Sequence, residues 1–192
     1  MSNRFFILII TTITLSLISC KSDYTKAVER GLGSGLVQDS LIFGMRMGQT
    51  KKDFYSVCWD LNKQQLISEG PGNLTAKYTD PEDSTRDASL RKEMYFYGIF
   101  DEQDTMRGMG MTYHYIAWSP WNRNLFSDSL LEDLKQQYIR DYPGNAFVSI
   151  DIDLPEYQAF AKVDGNRQIL MYQKDKRQVV VKIEDLRYKL KK

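Results

Sequence analysis

A chain of 192 residues with 26 Lys and Arg against 25 Asp and Glu carries a net charge of +1, which leaves no broad field to draw in nucleic acid. The length suffices for one domain with a real core, or for two small halves sharing a sheet. A single histidine argues against a histidine-rich metal site and against a catalytic triad.

Residues 1–19 read as an export signal. Arg4 supplies a positive start, and an apolar run of about 14 residues follows, too short to span a bilayer; polar Lys21-Ser22-Asp23 comes next. Leu17-Ile18-Ser19-Cys20 resembles the lipobox of bacterial lipoproteins: two aliphatic residues, a small one, then the cysteine that takes the lipid. The resemblance implies that Cys20 receives a diacylglycerol on sulfur, that residues 1–19 are removed, and that the freed amine is acylated. Each buried methylene would add about 0.8 kcal/mol of membrane affinity, enough over two or three chains to anchor the protein without a transmembrane helix. Ordinary secretory cleavage fits poorly, because Ile18 and Cys20 are bulky where small residues are wanted. Lys21 stands where that family carries aspartate for inner-membrane retention. The resemblance therefore points to the outer membrane, on its periplasmic side or at the cell surface. With Cys20 lipidated, Cys58 has no partner and no intramolecular disulfide forms.

Residues 20–40 contain Gly31-Leu32-Gly33-Ser34-Gly35 among charges and predict a flexible tether. No strand precedes these glycines and the third is misplaced for a dinucleotide loop. A single α+β domain is expected over 41–192, entered through extended Leu41-Ile42-Phe43. Thr50-Lys51-Lys52-Asp53 has the form of a capping box, so a helix starts at Lys51 and buries Phe54, Val57, Cys58 and Leu61. Cys58 on that stripe reads as a small hydrophobe rather than a nucleophile. The helix must stop before Gly70-Pro71-Gly72. Strands are expected near 74–78, 92–100 and 105–118. A second helix begins at Ser127 or Ser129, buries Leu130, Leu131, Leu134 and Tyr138, and stops at Pro143-Gly144. Next, Val148, Ile150, Ile152 and Leu154 line one face of a strand while Ser149, Asp151 and Asp153 line the other. A strand at 157–163, a turn at Asp164-Gly165 and a hairpin of 169–172 with 179–183 complete the chain.

Residues 63–73 lie over 135–145 without a gap, with mostly identical residues, and the same offset sets Asp101 over Gln173 in two polar turns. This spacing predicts an α+β fold of two tandem helix-plus-antiparallel-strand repeats, about 41–112 and 113–192, with the helices on one face of the sheet. Such tandem repeats are similar to the fold of the β-lactamase-inhibitor-protein type and of small outer-membrane assembly lipoproteins. Gly48-Gln49-Thr50-Lys51-Lys52-Asp53-Phe54 is similar to the Gly-x-Thr-x-x-Glu-aliphatic lead-in of that group, with Asp53 for the glutamate and Phe54 for the aliphatic residue. The resemblance implies a fold and no site.

Few residues point to chemistry. His114 reads as a satisfied strand histidine; Asp151 and Asp153 lack the further ligands of a calcium loop; Asp101, Glu102 and Asp104 fit a hairpin turn. Tyr95, Tyr97, Tyr113 and Tyr115 read as cross-strand pairs. No catalytic residue, metal or cofactor is expected. Trp118-Ser119-Pro120-Trp121-Asn122-Arg123 leaves a strand through a proline, so Trp118, Trp121 and Arg123 are candidate contacts to a partner or ligand; the alternative is that both tryptophans plug the seam between the repeats. The expectation is a lipid-anchored, non-catalytic binding or assembly module meeting an envelope protein through its sheet face or repeat junction. An envelope enzyme or enzyme inhibitor acting on cell-wall carbohydrate or peptide is the alternative, and a structural spacer the third reading.

Overall fold

The computed structural model describes residues 21–79, 88–152 and 156–190. The export signal, Cys20 and its lipobox, and Asp153 and Leu154 of the expected strand lie outside the described residues.

Where a flexible tether is predicted, the chain forms helix α1, Asp23–Gly33. The Ser22 hydroxyl caps it by accepting the Thr25 N–H at 3.1 Å, which satisfies one of the orphan donors of a helix start. Its glycines serve close approach rather than flexibility. A Cβ on Gly31 would lie 2.7 Å from both Val163 Cγ1 and the Gly165 carbonyl oxygen, so only glycine lets the helix rest there. Beyond α1 the Gln38 N–H donates to Asn166 Oδ1 at 2.6 Å, holding this segment on the domain.

Helix α2, Lys51–Lys63, starts where its capping box places it. The Thr50 hydroxyl accepts the Asp53 N–H at 3.2 Å and the Asp53 carboxylate accepts the Thr50 N–H at 3.0 Å. It ends before the proline-based expectation. Gln65 adopts φ 60°, its N–H reaches the Asn62 carbonyl at 2.9 Å, and the Leu66 N–H reaches the Leu61 carbonyl at 3.0 Å. This is a Schellman ending with glutamine where glycine is usual. It frees Ile67–Glu69 to form strand β1.

The remaining elements are β2 (Ala76–Thr79), β3 (Lys92–Phe100), β4 (Met106–Tyr115), α3 (Ser127–Asp141), β5 (Val148–Ile150), β6 (Ala159–Asp164), β7 (Arg167–Gln173), β8 (Val179–Asp185) and the single turn α4 (Leu186–Lys189). Strand β4 runs continuously through residues 112 and 113, where the sequence set the boundary of its two expected repeats. Residues 63–73 and 135–145, alike in sequence, differ in conformation: the first crosses the end of α2 into β1, whereas the second stays helical to Asp141. The hairpins agree more closely. Phe100 and Gln173 close β3 and β7, and Met106 and Val179 open β4 and β8, one residue from the expected register.

All eight strands form one antiparallel sheet in the order β1-β2-β3-β4-β8-β7-β6-β5. Pairing of Phe96 with Met111 and of Met111 with Val181 puts these side chains on one face, with Met94, Met109, Tyr113 and Ile183 in the same alternation. That face is the core. Phe54 of α2 meets Phe96 and Phe100 edge-on at 6.4 and 5.5 Å, while Tyr138 of α3 bonds the Tyr113 hydroxyl at 2.9 Å. Leu130, Leu131, Leu134 and Tyr138 are all buried, as their spacing predicts. Both helices expected from the sequence meet this face; α1, where no helix was expected, lies on the other. Val163 pairs with Gln168 on the opposite face, and it is there that Gly31 rests and the Tyr24 hydroxyl donates to Gln168 Oε1 at 2.6 Å.

Candidate functional site

The connection from β4 to α3 carries the aromatic and cationic residues singled out in the sequence. The Asn122 N–H returns to the Ser119 carbonyl at 3.2 Å, closing a turn with Pro120 second and Trp121 third. Proline presets the backbone of that turn. Trp121 is 89% exposed. Trp118 is half-buried instead, its ring tilted on Phe126 at 6.0 Å, and its indole Nε1 is buried with no acceptor among the described residues. The seam-plug alternative thus fits Trp118 in part and Trp121 not at all. The guanidinium of Arg123 lies over the Phe126 ring at 4.7 Å, so Phe126 brings Trp118 and Arg123 together while Trp121 stands apart.

A second element completes the site. The turn between β7 and β8 sets the Arg177 guanidinium 5.8 Å from the Trp118 ring centre. Its Lys176 carbonyl accepts the first N–H of α3, from Ser127, at 3.0 Å. Asp175 spends one carboxylate oxygen on the backbone N–H groups of Arg177 and Gln178, each at 2.7 Å. Between connection and turn lies a cleft of about 640 Å³ that Pro120 and Tyr157 also line. Among the described residues Arg123, Lys176 and Arg177 have no carboxylate within ion-pair distance. Sequence reasoning missed Lys176 and Arg177; Lys174-Asp175-Lys176-Arg177 reads as a solvated turn until the sheet delivers it to Trp118.

Around the cleft the other candidates resolve into structural roles. His114 pairs across strands with Glu93, its Nε2 lying 3.5 Å from Glu93 Oε1, and its ring stacks on Tyr95 at 5.5 Å. Its Nδ1 is buried without a hydrogen-bond partner among the described residues, so the histidine is less satisfied there than expected. Burial and then the Arg177 charge hold its pKa below the ordinary value, and Glu93 pulls the other way without prevailing. Tyr95 donates to the Glu93 carboxylate; burial and that bond push the phenol up to about 12. Cys58 is half-buried, and loss of water pushes its thiol up to about 11, the reverse of what a nucleophile needs. Asp101 accepts the N–H groups of Gln103 and Thr105 at 3.0 and 2.9 Å and Arg107 Nε at 2.8 Å, organising the β3–β4 turn. Asp151 follows β5 rather than lying in it. Among the described residues no three His, Cys, Asp or Glu side chains gather to hold a metal ion, and no helix is long and apolar enough to cross a membrane.

Comparison with known protein families, with curated proteins and with solved structures finds no match to the chain.

Proposed function

We propose that the chain is a lipid-anchored envelope protein acting as a non-catalytic binding module, tied to the outer membrane through Cys20 and meeting an acidic protein surface with residues 118–126 and the β7–β8 turn. The observation that carries this reading is the cleft in which Trp118 meets Arg123, Lys176 and Arg177, three cations with no carboxylate within ion-pair distance among the described residues, with Trp121 exposed on the same connection. Tryptophan and arginine are the residues that most often dominate a protein contact, and unpaired cations favour a partner of opposite charge. Two tandem units, each a helix followed by a four-strand meander and joined at β4 and β8, support a scaffold built to present such a surface. The lipobox supports the anchor.

A photo-reactive residue at position 121 of the full chain in intact cells tests the contact, with Arg140 on exposed α3 as the control position. A discrete protein adduct from 121 that is lost on Arg123→Glu with Arg177→Glu is the expected result. Equal labelling from both positions, or none from 121, overturns the contact. Cys20→Ala is expected to release the protein from membranes; retention after a high-salt wash overturns the anchor.

A further inference from the structure

A second cavity lies under the helix-covered face of the sheet, away from the cleft at Trp118. It encloses about 380 Å³, within the range of roughly 300–1,000 Å³ typical of small-molecule sites. Its floor is one row of the sheet, since Tyr78 pairs with Met94 and Met94 with Tyr113. One wall is the lead-in to α2 at residues 40–43; the other is the last turn of α3, with Gln137, Asp141 and then Tyr142.

The lead-in wall is built at a cost. Phe43 adopts φ 58° and ψ 27°, left-handed backbone that a bulky residue rarely enters. Its ring is held there by Tyr78 at 4.9 Å and Phe96 at 5.3 Å. Strain of this kind gathers at ligand sites, where the surroundings over-determine it. The opposite wall is fixed too, for Tyr142 stacks on Tyr138 at 5.6 Å and carries the Arg167 guanidinium at 4.6 Å.

Charge decides what such a pocket accepts. Lys92 lines it, but its ammonium is 2.9 Å from Asp133 Oδ2 and 3.1 Å from Gln137 Oε1. Arg167 behind Tyr142 is 3.7 Å from Asp164 and donates to the Ser40 hydroxyl at 2.9 Å. Asp141 is the lining charge without an ion-pair partner among the described residues. It sits at the C-terminal end of a 15-residue helix, where the last carbonyls add negative potential. Burial keeps the neighbouring phenols of Tyr113 and Tyr142 neutral, the second pushed up to about 12.

We propose that this pocket binds a small molecule carrying a protonated amine on an apolar or aromatic body, the ammonium at Asp141 and the C-terminal end of α3, the body against Phe43, Tyr78, Met94 and Tyr113. Aromatic walls suit such a cation, because ring faces attract positive charge.

The test uses the full chain in detergent, labelled with ¹³C at its methionine methyls, so that Met94 reports from the pocket floor. Phenethylammonium is titrated against its neutral counterpart 2-phenylethanol and its anionic counterpart 3-phenylpropionate. Saturable shifts of Met94 with the amine are expected, at an affinity at least about ten-fold above both counterparts, as a charge-assisted contact supplies. Asp141→Asn is expected to erase that preference without lowering the unfolding midpoint, since Asp141 is exposed and its charge opposes the helix dipole. Trp121→Ala is expected to leave amine binding unchanged, which separates this site from the protein contact. Equal affinity for amine and alcohol, a preference that survives Asp141→Asn, or no saturable shift with the amine overturns the proposal.

Discussion

Replacing Gly31 by alanine adds one methyl group where α1 crosses the turn between β6 and β7. In the middle of an exposed helix this change stabilises by about 1 kcal/mol. Here the new carbon would meet Val163 Cγ1 and the Gly165 carbonyl oxygen, both at 2.7 Å. Ordinary carbon contacts begin near 3.5 Å, so helix and turn must separate by on the order of 1 Å. Valine can turn away, but the carbonyl belongs to the backbone and the turn is held from another element, since the Leu186 N–H donates to the Asn166 carbonyl at 2.8 Å. Overpacking of this kind costs about 1–3 kcal/mol, which cancels the propensity gain and leaves a net destabilisation of up to about 2 kcal/mol. Gly33 provides the control, because a Cβ there meets nothing within 4 Å. Urea unfolding followed by circular dichroism should lower the midpoint for Gly31→Ala and leave it level or slightly higher for Gly33→Ala. Limited trypsin digestion should cut the first variant faster after Lys26 and Arg30. If both variants were stabilised alike, the docking of α1 would be refuted and the segment would be a tether after all.

The two tryptophans of the β4–α3 connection should separate in a stability measurement. Trp121→Ala should shift ΔG of unfolding by less than about 0.5 kcal/mol, as for an exposed position, while Trp118→Ala should cost about 1–3 kcal/mol through its lost contact with Phe126; equal effects would contradict the exposure of Trp121. His114 sets a pH dependence. Its folded pKa lies below the ordinary 6.5 because of burial and the Arg177 charge, so the unfolded chain takes up a proton that the folded chain refuses. Its contribution is therefore intact above about pH 6.5 and declines on acidification through the window beneath, by at most about 1.4 kcal/mol per pH unit. Glu93 and Lys77 face the same ring, and Glu93 has its pKa lowered by Tyr95, Lys77 and His114 against the upward push of burial, so it stays ionised through that window. Unfolding midpoints of wild type and His114→Gln between about pH 7 and 5.5 check this, with the variant expected to be flatter and a flat wild-type curve contradicting it.

Local chemistry was readable and distant geometry was not. The start of α2 follows from Thr50 and Asp53 because a capping box is complete within four residues. The buried stripe of α3 and the two hairpins follow from periodicity alone. The end of α2 escaped because its left-handed residue is Gln65, which has no signature, and the proline six residues later drew the boundary toward itself. Helix α1 escaped for the opposite reason: glycine is ambiguous between freedom and close approach, and only the position of Val163 and Gly165 resolves it. The candidate site divides in the same way. Its aromatic half lies in one stretch of sequence, whereas Lys176 and Arg177 arrive through strand pairing that no local pattern announces.

Because α1 is docked from Asp23 onward, a single residue separates Cys20 from the capping serine at position 22. Under the anchor proposed at Cys20, the leash would span about 7 Å, against roughly 25 Å for a loose segment of some twenty residues. A domain so held would not sweep a volume above the bilayer in search of its target. It would ride at one height and in a narrow range of attitudes, and the partner proposed for Trp121 would have to come to the membrane surface.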